Sequence, residues 1–184
     1  MDFFRKPHVA GAIVASGNEL SELITNLADL REAHTVVEFG PGTGVFTRVA
    51  LRKLPRDAFY LAIERDPDFM QKLRAEFRTV RLYEDSASSI ENHLAENGKK
   101  CCDRIISGLP WTIFNEQVQT ETLGSAYRSL CDGGIFVTFA YVHSQFMPGG
   151  KRFKKLLKKT FSSVTKSRIA WRNFPPAFVY ICRK

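Results

Sequence analysis

No run of apolar residues in this sequence is long enough to cross a bilayer. The longest, near Gly134–Val142, is about nine residues, against the roughly 20 that a membrane helix needs. No basic segment followed by an apolar stretch and a small-residue cleavage site opens the chain, so no secretory leader is expected. The cysteines (Cys101, Cys102, Cys131 and Cys182) form no C-x-x-C pair, and the 4 histidines show no ligand spacing. No metal centre is expected, and the cysteines read as reduced thiols of a cytoplasmic protein. Repeats, linkers and low-complexity tracts are missing too. At 184 residues and 44% hydrophobic, the chain suits one domain with a substantial core and is too short for two comfortable ones.

Acidic residues are missing from the last stretch altogether. Residues 1–150 carry 16 Lys/Arg against 19 Asp/Glu, a net of −3, whereas residues 151–184 carry 11 Lys/Arg and no acid. Such asymmetry points to a face that meets a polyanion, either nucleic acid or an anionic membrane; a solvated basic surface is the plainer alternative.

What the chain does have is concentrated in Thr35–Ala50, TVVEFGPGTGVFTRVA. Thr35-Val36-Val37 is β-branched and apolar, as in a short buried strand, and Val45 onward reads as a helix start. Between them, Gly40, Gly42 and Gly44 remove three Cβ atoms where a ligand would lie against bare backbone, at the positive end of the following helix. A dinucleotide fingerprint, G-x-G-x-x-G, needs glycine where Val45 stands. An acid just before the loop, Glu38, would face a pyrophosphate badly but suits the ammonium of an amino-acid-like ligand. E-x-G-x-G-x-G resembles the first motif of class I S-adenosylmethionine methyltransferases.

Around this stretch, strands and helices alternate. Ser16-x-x-Glu19 is a capping-box pattern ahead of Leu20, Leu23, Ile24 and Leu27 at helical spacing. Phe59–Ile63 reads as a second strand ending at Glu64, where nucleotide-type folds place an acid against ribose hydroxyls. Asp66-Pro67 starts a helix, with Asp66 as its cap. Val80–Glu84 is a third strand, followed by Asp85-Ser86 where an adenine would lie, a solvated turn being the competing reading. Ile90–Asn97 suggests a helix, Asp103–Ser107 a strand, Glu116–Leu130 a helix, and Ile135–Val142 the most apolar strand. Phe153, Leu156, Leu157 and Phe161 share one face of a lysine-rich helix. Ser167–Arg172 and Ala177–Cys182 close the chain as a strand pair. The expected fold is α/β: one doubly wound, mostly parallel seven-stranded sheet with a closing antiparallel pair, Rossmann-like. Residues 1–31 would form a helical lid, with Phe3 and Phe4 docking on the core or entering a lipid interface.

Strand one and strand four should meet at the switch point, setting Gly40–Gly44 opposite Ser107–Trp111. Gly108-Leu109-Pro110-Trp111 resembles the N/D-x-P-aromatic motif of amino-methyltransferases, including the rRNA adenine dimethyltransferases. In those, the first side chain and the proline-region carbonyl accept hydrogen bonds from the amine. Gly108 has no side chain to offer, and those enzymes carry a further C-terminal domain for RNA. From PHVAGAIVASGNEL through VVEFGPGTGVFT and ISGLPW to WRNFPPAFVY, the whole chain is similar to the small bacterial phospholipid N-methyltransferases that act on phosphatidylethanolamine. At Ala15-Ser16-Gly17 it departs from that family's Pro-Ser-Ser-like turn.

The resemblance implies successive methyl transfers from S-adenosylmethionine to a lipid amine by a monomer held peripherally at the cytoplasmic face of a membrane. Ser16, Glu38, Gly40, Pro41, Gly42, Thr43, Gly44, Phe46, Thr47, Glu64, Arg65, Asp85, Ser86 and Ser107 are the cofactor contacts it implies. Gly108, Leu109, Pro110, Trp111 and Tyr141 form the acceptor side. Trp111 would hold the methylated cation by cation–π attraction, worth about 0.5–2 kcal/mol, with core packing as the alternative. Tyr141, His143 or a water relay would take the amine's proton. An anionic membrane and an aminophospholipid are the expected partners. Two other readings remain: an rRNA or other nucleic-acid adenine N-methyltransferase, and a non-catalytic module that binds the cofactor or lipid.

Overall fold

Seven strands form one sheet in the order β3-β2-β1-β4-β5-β7-β6, as a computed structural model shows. It describes the backbone of residues 7–184 and the side chains of residues 17–184, so Phe3 and Phe4 and the side chain of Ser16 lie outside the described residues. β1 (Thr35–Phe39), β2 (Phe59–Glu64), β3 (Arg81–Glu84), β4 (Cys102–Ser107) and β5 (Leu130–Tyr141) run parallel. β7 (Ala177–Arg183) is antiparallel to β5, and β6 (Ser163–Lys166) is antiparallel to β7.

The period of two in each strand separates two cores. Val37 and Phe39 face α4 (Ile90–Glu96), α5 (Glu116–Ser129) and α6 (Pro148–Thr160), with Ile90, Leu123, Phe153 and Leu157 packed against them. Val36, Tyr60, Ala62 and Val137 face α1 (Pro7–Leu27), α2 (Val45–Lys53) and α3 (Pro67–Glu76) through Leu20, Ile24, Ala50 and Leu73. Asp66 caps α3 as its sequence suggests, accepting from the backbone N–H of Asp68 at 2.9 Å and of Phe69 at 3.3 Å.

Four expectations change. α1 is one helix through Ser16 instead of starting there, and Glu19 caps nothing. Its carboxylate accepts from the Arg168 guanidinium (2.8 Å) and the Arg172 backbone N–H (3.0 Å), partners that only the tertiary fold supplies. α5 stops at Ser129, because Leu130 is buried and pairs with Cys102 as the first residue of β5. The sixth strand falls at Ser163–Lys166, not Ser167–Arg172. Ser167 is still tied to Val179, but beyond it Arg168 and Arg172 are held by Glu19, leaving only the bridge Ala170↔Ala177. Finally, Cys101 and Cys131, expected as free thiols, are joined in a disulfide. Neighbouring strands β4 and β5 bring their Cα atoms to 5.1 Å across 30 residues of sequence, a pairing no C-x-x-C search detects. Cys102 and Cys182 are buried free thiols.

Candidate active site

β1 and β4 are adjacent, and the chain leaves them toward opposite edges of the sheet, so their carboxyl ends open a crevice. The two segments flanking it touch. The Gly108 N–H donates to the Phe39 carbonyl at 2.8 Å, and a Cβ placed on Gly108 would stand 2.5 Å from the Gly40 carbonyl oxygen. A side chain at position 108 therefore requires the two loops to part.

Gly42 has the open backbone of this turn. Its φ is +56°, a conformation L side chains avoid, and nothing lies within 4 Å of where its Cβ would be. Gly40 and Gly44 were expected to be equally bare, but the Leu109 and Phe77 side chains occupy the corresponding spaces. Gly44 is the N-cap of α2 and offers no side chain, so the first-turn N–H groups of that helix keep their hydrogen-bonding capacity and their positive potential. Pro41 is buried and Thr43 exposed at the turn.

Glu38, expected to meet a ligand's ammonium, is fully buried behind the glycine turn. Its Oε2 accepts from the Thr47 hydroxyl at 2.6 Å and from the Tyr60 hydroxyl at 2.7 Å, whereas its buried Oε1 has no partner. Burial pushes its pKa up to about 7, the hydrogen bonds from Thr47 and Tyr60 opposing the rise. Thr47 thus acts through Glu38, and Tyr60, invisible to motif reading, completes the brace.

Glu64 is at the carboxyl end of β2. Its Oε2 accepts from the Gly42 N–H at 2.9 Å and its Oε1 from the Arg65 and Asp66 N–H groups at 2.8 and 2.9 Å. The carboxylate consequently fixes the glycine turn besides lying where ribose hydroxyls are expected. The Arg65 side chain points to solvent. Asp85 accepts from the Ser86 N–H at 2.6 Å and pairs with His93 Nε2 at 2.9 Å, and the hydrogen bond from Ser86, the largest of several influences, holds its carboxyl below the usual range. Phe46, half-buried on α2, meets Phe139 edge to face with centroids 6.0 Å apart.

On the acceptor side, Trp111 is the main correction. The ring is 2% exposed, stacked on Phe153 at 4.6 Å and edge-on to Phe114 and Phe136. No face is open to a cation, so the packing alternative holds. Its Nε1–H donates to Ser107 Oγ at 2.9 Å, and Ser107 is itself fully buried, bracing the loop instead of reaching a ligand. Leu109 covers Gly40; the Leu109 and Pro110 carbonyls accept from Trp111 and Ile113, leaving the Gly108 carbonyl without a protein donor among the described residues. Tyr141 and His143, separate candidates in sequence, are brought together: their rings stack at 5.7 Å and 7°. Burial raises the Tyr141 hydroxyl above its ordinary pKa, so it stays protonated at neutral pH.

Sequence reading missed the brace behind this loop. The Gln119 Nε2–H donates to the Trp111 carbonyl at 2.6 Å, and Arg152 donates to Gln119 Oε1 (3.0 Å) and to the Phe114 carbonyl (2.8 Å). Arg152 thus turns inward from a helix whose basic residues otherwise face water. The available signal was a lone arginine among lysines, the residue suited to two directed hydrogen bonds.

Open backbone at Gly42, the first turn of α2, the Glu64 carboxylate and one unpartnered buried carboxylate oxygen fit a ligand combining amino-acid and nucleoside parts. They suit S-adenosylmethionine, which supplies a methyl already activated on a sulfonium.

The sheet order and flanking helices are those of the class I methyltransferase fold. The O-methyltransferase TomG of Streptomyces achromogenes, solved in complex with SAM, superposes with a TM-score of 0.69 over 98% of this chain and 91% of its own at 18% identity, which speaks for the fold. Along its whole length the chain is similar to an ornithine lipid N-methyltransferase of Singulisphaera acidiphila, 27% identical over 98% of this chain and 92% of that one. Ribosomal RNA small subunit methyltransferase A of Chlorobium phaeobacteroides is 33% identical, but over 49% of this chain and 32% of its own. No family model matches.

Proposed function

We propose that this S-adenosylmethionine-dependent N-methyltransferase acts on the amine of a membrane aminolipid, with phosphatidylethanolamine the headgroup to test first. The contact of Gly108 with Gly40 carries this reading. An adenine amine needs an acceptor side chain there to free its conjugated lone pair, and the backbone leaves no room for one. An alkylamine already has a free lone pair once deprotonated. Whole-chain sequence likeness to a lipid N-methyltransferase supports the same choice, because the sequence likeness to an rRNA enzyme spans half the chain.

The residues divide the work. Gly42, Glu64 and the first turn of α2 hold the methyl donor, with Glu38 beneath them. The Gly108 carbonyl receives an N–H of the amine and orients its lone pair toward the methyl carbon. An alkylamine with a pKa of roughly 10 is about one part in a thousand neutral at pH 7, a cost of about 4 kcal/mol. His143, at the crevice mouth, takes the proton, while Tyr141 fixes its ring. Lys154, Lys155, Lys158 and Lys159 are exposed, and Lys154 and Lys158 with Lys166 border a groove of about 220 Å³ over Tyr180, suited to anionic phosphate. Among the described residues no helix is long and apolar enough to cross a membrane.

Incubation with labelled S-adenosylmethionine and either phosphatidylethanolamine vesicles or total RNA tests this. Label in lipid is expected. Label in RNA alone would reverse the assignment, and label in neither would favour a binding module.

A further inference from the structure

The large apolar side chains exposed among the described residues are Ile113, Val118, Phe146, Met147, Trp171 and Phe174, and they share one end of the molecule. Ile113 follows β4, and Val118 lies in the first turn of α5, which runs back from that end. Phe146 and Met147 follow β5. The Trp171–Phe174 connection is fastened to the same place, with the Val142 N–H donating to the Pro176 carbonyl at 2.9 Å and the Arg172 N–H to Glu19 at 3.0 Å. Two residues before Glu19, α1 passes the start of α2, where a Cβ on Gly17 would stand 3.0 Å from Val45. These loops therefore rim the crevice. Among the described residues, the turns at the amino end of the sheet expose no large apolar side chain; Phe77 and Val80, which lie there, are each only 7% exposed.

Trp171, Phe174 and Phe146 are 70%, 75% and 70% exposed, values that cost solvation unless something covers the rings. Exposed Lys151, Lys166, Arg168 and Arg172 stand beside them, and no acid follows Asp132 in the chain. Glu19, paired with Arg168, is tied to that collar, and exposed Glu116 stands two residues before Val118 in the first turn of α5. Aromatic tips on separate loops inside a basic collar match a bilayer interface, where rings enter the acyl boundary and cations stay with anionic headgroups.

We propose that this rim, led by Trp171 and Phe174, is the surface that enters an anionic bilayer, so that the crevice opens directly onto headgroups. The inference rests on the lipid-amine reading for its purpose, though not for its test. It places docking at the crevice mouth in addition to the lysine face of α6.

Trp171 reports on its own environment, since Trp111 is already buried. Vesicles of equal parts phosphatidylethanolamine and phosphatidylglycerol should shift its emission to the blue, brominated lipid should quench it, and Trp171→Phe should abolish the response. A Trp171→Ser/Phe174→Ser variant should bind these vesicles at least about tenfold more weakly at low and high salt alike. Its turnover on a water-soluble short-chain aminolipid should match the parent's. Parent-like vesicle binding by that variant, or no emission response in the parent, would overturn the proposal. So would a parent dimer that the variant dissolves, which would assign the face to a second copy, or RNA binding lost in the variant with no vesicle binding in the parent. Trp171-dependent vesicle binding without methyl transfer to any aminolipid would uphold the docking surface and refute the lipid-amine reading instead.

Discussion

Replacing Glu38 with Gln removes a titration that the fold has made unfavourable. The buried carboxyl has its pKa raised from 4.5 to about 7, chiefly by desolvation. A folded pKa above the unfolded one means that the folded state holds its proton more tightly. The resulting stabilisation is fully present below about pH 4.5 and is lost as pH rises through 7. A shift of that size corresponds to about 3 kcal/mol at alkaline pH. Glu38→Gln keeps the volume and an oxygen to accept from Thr47 and Tyr60, but places an N–H₂ where Oε1 has no acceptor, a constant cost of about 1–3 kcal/mol. Urea unfolding of parent and variant across pH 5–9, without cofactor, isolates the group, because all other titrations cancel in the difference. The parent should lose about 2–3 kcal/mol relative to the variant between those limits. If the two curves run parallel, Glu38 is not a buried proton-binding group and the brace beneath the glycine turn has been misread. In the liganded protein a cationic donor should draw Glu38 into its ionised form. Parent affinity for S-adenosylmethionine should then rise through pH 7 while that of Glu38→Gln stays flat.

Gly42→Val should leave a folded protein that binds S-adenosylmethionine at least about tenfold more weakly by calorimetry, since it puts a branched side chain at φ +56° into the open space proposed for the ligand; affinity within threefold would remove the cofactor from that turn. Trp111→Ala should cost about 3–5 kcal/mol in chemical denaturation, as loss of a packed core ring does, and not act solely on turnover. Arg152→Met should lower kcat while cofactor affinity, read by calorimetry, stays at the parent value, because it frees Gln119 and the acceptor loop and leaves Gly42 untouched. Glutamine at Lys154, Lys155, Lys158 and Lys159 should weaken vesicle sedimentation at low salt and hardly at all at 1 M, where the screening length falls to about 3 Å.

Local chemistry carried most of the fold. β-branched runs, the Asp66-Pro67 start and the glycine turn each depend on neighbours a few residues away, and all reappear in the structure. The errors cluster where a distant partner outbid a local one. Glu19 in a capping-box pattern went to Arg168 and Arg172, and Cys101 found Cys131 across a sheet register. At the candidate site, the surroundings of individual side chains differ from those that residue type suggested. A carboxylate before a glycine loop and a tryptophan after a proline both invited ligand roles, yet Glu38 faces Thr47 and Tyr60, and Trp111 faces Phe153.

By itself, then, the sequence determined the alternation of strands and helices, the glycine turn with an acid before and an acid after it, and a carboxyl-terminal stretch of one charge sign. Those follow from backbone preference, side-chain period and counting, all independent of how the chain closes. Which groups are wet was decided only by the tertiary structure, because burial depends on what packs across the sheet. That packing sealed Glu38 and Trp111, paired Tyr141 with His143, turned Arg152 inward and left Trp171 and Phe174 exposed beside the crevice.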